Sequence, residues 1–105
     1  MNRIFTWGGR STFSYTGSVD EGTRIVFGAN HVARVSAAEY ADLLQHFAGR
    51  TVNVGTSRTD PPAGSVGEWL KANVTPTAIA SYIGAILVHE GVAKRGFGAD
   101  IKFGG

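Results

Sequence analysis

An α+β domain with a mainly antiparallel sheet is the fold class this sequence predicts. Three observations point there. Short runs of β-branched and aromatic residues crowd the first third of the chain, helix signals begin only at Ser36, and no repeating strand–helix–strand pattern follows. The expectation is roughly five to six strands packed against two to three helices, in a single domain over residues 1–105.

Residues 3–7 (RIFTW) and 11–15 (STFSY) have strand composition, with Gly8-Gly9 between them as a hairpin signal. An acidic turn, GSVDEG, precedes a second strand pair, TRIVF (23–27) and HVARV (31–35), joined by Gly-Ala-Asn, where Gly28 and Asn30 tolerate positive φ. Ser36 and Glu39 then have capping-box spacing, and Tyr40, Leu43, Leu44 and Phe47 form the buried stripe of a helix that Gly49 closes. TVNV (51–54) reads as a strand. Ser65 and Glu68 repeat the capping-box spacing and open a short helix through Lys71. Asn73 to Thr77 break it. Thr75 and Pro76 are placed to cap and begin a third helix, apolar nearly all round, that carries Ile79, Ile83, Ile86 and Leu87 and ends at Gly91. Its small residues, Gly84 among them, let a sheet or another helix approach closely. KRGFG (94–98) reads as a loop before a last strand, ADIKF (99–103).

Composition narrows the function classes. With 43% hydrophobic and 17% charged residues, the 105-residue chain can bury one modest core, and fifteen glycines favour tight turns. Without cysteine, disulfides and thiolate chemistry are excluded, which fits a reducing compartment. MNRIFTWGGR has no apolar run of the signal-peptide kind, and the 12-residue stretch TAIASYIGAILV falls short of the roughly 20 residues of a membrane span. A cytoplasmic protein without a membrane partner is expected. A formal charge of +2 is too weak, taken alone, to argue for nucleic acid.

Three candidate surfaces remain. In VGTSRTDPPAGSVGEWL, a strand, a glycine, small hydroxyls and a helix start are the parts of an anion site. Thr56, Ser57, Arg58, Thr59 and Ser65 are its candidate ligands, with the amides of Val66, Gly67 and Glu68. The glycine spacing matches no phosphate fingerprint, no Lys-Ser or Lys-Thr follows Gly64, and the capping box accounts for the helix start without a ligand. The N-terminal hairpin gathers Phe5, Trp7, Phe13 and Tyr15 with Arg3 and Arg10. On one exposed face these would stack on bases while the arginines met phosphates; otherwise they are core. The C-terminal stretch has the outline of a winged helix, with Ala80, Gly84 and the basic pair Lys94-Arg95. Its continuation AILVHEG is too apolar and acidic for a helix that reads base edges.

Glu39, Asp42 and His46 along one helix, and His89-Glu90 on another, follow no metal-ligand spacing, so no metal or cofactor is expected. Catalytic signatures such as G-x-S-x-G and H-E-x-x-H are missing. The stretches GTSRTDPPAGSVGEWL, TAIASYIG and LVHEG resemble, over essentially the whole chain, small proteins of Burkholderia-type proteobacteria. That resemblance implies a bacterial, soluble, single-domain protein and supplies no activity or site residues. The leading expectation is a non-enzymatic binding or interaction module. A nucleic-acid-binding regulator stands second, and an anion binder or enzyme using the loop at residues 55–68 stands third. An uncovered edge strand would make a homodimer plausible.

Overall fold

The structure is a computed structural model and describes residues 2–104. The chain begins as a four-stranded meander: β1 (Asn2–Phe5), β2 (Thr12–Ser18), β3 (Gly22–Phe27) and β4 (His31–Ser36), every neighbour antiparallel. Helix α1 (Ala37–Phe47) follows directly, then β5 (Thr51–Asn53), α2 (Val66–Asn73), α3 (Ala80–His89), β6 (Ala93–Arg95) and β7 (Asp100–Phe103). The last three strands form a second antiparallel sheet in the order β5-β7-β6. The class is α+β, as expected, but the strands divide between two sheets.

Register decides what the first sheet buries. Ile4 lies opposite Phe13, and Tyr15 lies opposite Ile25, so Phe13, Tyr15, Ile25 and Val35 line the face that turns inward. Successive residues alternate between faces. Arg3 therefore sits opposite Ser14, and Phe5 opposite Thr12, on the outer face. The sequence places a strand over residues 3–7, but β1 stops at Phe5. The Trp7 amide leaves the ladder and donates to the Ser81 carbonyl at 2.9 Å, which turns the indole into the core, while Phe5 stays 65% exposed.

Helix α3 touches both sheets. Its Tyr82 meets Phe13 edge-on at 5.1 Å, and the chain just beyond its end supplies Glu90, which accepts from the Tyr15 hydroxyl at 2.8 Å and from the Val19 amide at 2.9 Å. On its other side α3 packs against β6 and, through Gly84, against Val54. Ile83, Ile86 and Leu87 are fully buried, as an all-round apolar helix requires. Helix α1 closes the second sheet's end of the core by stacking Phe47 on Phe103 at 5.2 Å.

Three local expectations change. The third helix begins at Ala80, not at Pro76. Thr75 instead accepts from the Thr77 amide in a local turn, and no side chain caps the helix. The capping box is complete only at α1, where Ser36 and Glu39 bond reciprocally. At α2 the Ser65 hydroxyl accepts from the Glu68 amide, but the Glu68 carboxylate reaches the Gly64 amide instead of that of Ser65. The stretch assigned to a loop at residues 94–98 begins inside strand β6, a three-residue strand whose two cations hid its pairing with β7. Among the described residues, no helix is long and apolar enough to cross a membrane.

Candidate functional site

The loop at residues 55–65 does not form the anion cradle its composition suggested. The Gly67 amide donates to the Val54 carbonyl at 3.0 Å, and the Glu68 amide is held by Ser65. A Cβ on Gly67 would strike the Gly55 carbonyl, so the start of α2 is sealed against the end of the strand instead of open to a ligand. Ser65 is 1% exposed with its hydroxyl committed, which removes it as a ligand. Thr56, Ser57 and Thr59 are exposed, and Ser57 accepts from the Asp60 amide at 3.0 Å in a local turn. Of the five residues singled out in this loop, Arg58 lines a groove.

That groove, of about 600 Å³, lies between the β3–β4 turn, the Arg58 loop, the α2–α3 connection and the first turn of α3. Phe27 and His31 are paired across the turn at residues 28–30, where Gly28 and Asn30 both take positive φ. Their rings lie 5.7 Å apart, and Tyr82 stacks on Phe27 at 4.5 Å with an interplanar angle of 27°. With the Phe13–Tyr82 pair, an aromatic series runs from buried Phe13 through half-buried Tyr82 and Phe27 to exposed His31. The core's aromatic packing thus breaks the surface in this groove. Arg58 and His31 supply positive or proton-donating groups, Thr77 and Tyr82 supply hydroxyls, and no carboxylate lines the groove among the described residues. Offset aromatic surface beside a guanidinium suits a planar ring that carries negative charge.

Sequence reasoning missed Phe27, His31 and Tyr82 as a group. The hairpin around Gly-Ala-Asn did foreshadow the Phe27–His31 pairing. Tyr82 is the one tyrosine in a mostly apolar helix.

The base-stacking reading of the N-terminal hairpin fails on burial. Trp7, Phe13 and Tyr15 are 7%, 2% and 1% exposed, so no base reaches them. Arg3, Phe5 and Arg10 remain at the surface. Arg95 meets Trp7 from 88 residues away: its guanidinium lies 4.0 Å from the indole and its Nη2 donates to the Trp7 carbonyl at 2.8 Å. That arginine is a clamp between the N-terminal turn and the second sheet. Lys94 stands directly opposite Lys102 on the exposed side of that sheet.

Two buried phenols complete the polar inventory. Burial pushes the Tyr15 hydroxyl well above its ordinary range, and the bond to Glu90 and that carboxylate's charge push the same way. Tyr40 is raised by burial too, partly offset by its 2.7 Å hydrogen bond with Thr23. Both hold structure. Among the described residues no three His, Asp or Glu side chains cluster as metal ligands; His46, one of those weighed, packs its ring against Phe47 at 4.6 Å. No family model matches the chain, and neither does a curated protein or a solved structure.

Proposed function

We propose that this protein is a small non-enzymatic binding module of a bacterial cytoplasm, whose site is the groove of Phe27, His31, Arg58 and Tyr82. Its ligand is a planar heteroaromatic ring bearing an anionic group, the chemistry of a nucleoside monophosphate. The observation that carries this reading is the aromatic series that surfaces beside Arg58 with no carboxylate nearby among the described residues. A ring laid against Tyr82 or His31 gains stacking, and the guanidinium meets the anionic oxygens through charge-assisted hydrogen bonds. The bacterial and cytoplasmic setting rests on the sequence resemblance and the lack of cysteine.

Calorimetric titration with AMP tests it. The wild-type chain is expected to bind saturably. Arg58→Ala is expected to weaken binding about tenfold or more, the worth of one hydrogen bond to a charged group. Thr56→Ala, two residues away, exposed and outside the groove, is expected to leave it unchanged. Equal affinity of Arg58→Ala and wild type, or no binding at millimolar AMP, would overturn the assignment.

A further inference from the structure

We infer that the groove is one end of a longer track for single-stranded nucleic acid, whose sugar–phosphate backbone runs across the outer face of the first sheet. This rests on the groove reading above. Val32 belongs to both surfaces: it lines the groove and, at 43% exposed, stands on the outer face opposite Val26. Arg34 follows on the same face two residues along β4, a step of about 6.8 Å. Opposite it is Arg24, and beside Arg24 is Thr16. Ser14 and then Arg3 complete the neighbouring row at the far edge. Strands lie about 4.8 Å apart, so the three guanidiniums are spread over a surface that several nucleotides can cover.

Charge and chemistry select the occupant. The described outer-face strand positions carry arginines, hydroxyls, small and apolar residues, and no Asp or Glu. Arg24 and Arg34 are directly opposed like charges, an arrangement that costs stability in a lone sheet and is relieved when phosphates sit between them. Glu21 and Glu39 border the same depression as Thr16, Arg24 and Arg34, and each carboxylate accepts a local hydrogen bond, from the Ser18 hydroxyl and the Ser36 amide. Exposed Phe5, on the same face as Arg3, offers a second ring for a base. Had the hairpin aromatics shared one exposed face, Arg3 and Arg10 would have acted beside them. The register instead puts most of those aromatics inside and leaves the arginines outside, so stacking passes to the groove.

The test compares AMP with an oligoadenylate of about ten nucleotides, by fluorescence anisotropy of labelled RNA and by calorimetry for AMP. The oligonucleotide is expected to bind at least tenfold tighter than AMP at low salt. In the doubly substituted R24A/R34A chain that gain is expected to vanish while AMP affinity stays as in wild type. The slope of log K against log salt should fall by about 1.4 for two lost phosphate contacts. R24K/R34K, which keeps the charges, should recover most of the gain. Thermal melting checks that the alanine variant is folded; removing opposed like charges should leave its Tm unchanged or higher. AMP binding with no gain from added nucleotides, or an R24A/R34A chain that holds RNA as wild type does, overturns the track and leaves the groove standing. Failure of AMP itself to bind overturns both.

Discussion

Gly84 shows how much one missing methyl group fixes. A Cβ there would lie 2.8 Å from Val54 Cγ2 and 3.0 Å from Trp7 Cε3, so the first turns of α3 touch both the N-terminal indole and the end of the β5 segment only because the residue is glycine. Gly84→Ala is expected to destabilise the fold by about 1–3 kcal/mol through overpacking, despite alanine's higher helix propensity, as read from urea denaturation. The sequence predicted this close approach from the small residues in an apolar helix, but not its partners. Tyr15 is the opposite case. Its hydroxyl bonds Glu90 across 75 positions, and nothing local to either residue announces the pair. Tyr15→Phe keeps the ring packing and removes a bond to a carboxylate, so a loss of about 1.5–3 kcal/mol is expected in the same measurement.

At the scale of elements, the two helix starts that look alike in sequence behave differently. Ser36 and Glu39 cap α1 reciprocally at the surface, where water can replace a lost hydroxyl, and Ser36→Ala should cost about 1 kcal/mol. Ser65 caps α2 from a buried position against Gly55 and Gly67, and its removal strands the Glu68 amide, so Ser65→Ala should cost more than Ser36→Ala when the two variants' unfolding free energies are compared. Most strands and the first two helices were legible because capping pairs, period-two runs and the Gly-Ala-Asn turn are local signals. The start of α3 and the existence of β6 were not. The first depends on Thr75 serving a turn instead of a cap, and the second on a three-residue pairing with β7 whose exposed cations carry no strand signature. The division into two sheets was equally hidden, since β5 pairs with the distant β7, and β7 with β6, and none of the three with the first four strands.

At the scale of the whole molecule, two buried phenols, Tyr15 of β2 and Tyr40 of α1, give the fold a pH limit. The folded state holds Tyr15 and Tyr40 neutral, with both phenols raised, by burial first. Their contribution is therefore full below the unfolded phenol value of about 10 and falls as pH rises above it, because the unfolded chain ionises first. Chemical denaturation from pH 8 to 11 should show stability level and then declining beyond about 10, more gently in Tyr15→Phe relative to its own neutral value. The candidate site has the same mixed legibility. Arg58 was visible as a lone cation in a polar loop. Its partners come from two other places in the chain, Phe27 and His31 from the β3–β4 hairpin and Tyr82 from α3, and only the packing of that hairpin against α3 assembles them. An amide NMR titration with AMP probes that assembly. Saturable shifts are expected at residues 27–32, Arg58 and residues 77–82, with little change at Lys94 to Lys102. Shifts centred on the second sheet, or none that saturate, would contradict it.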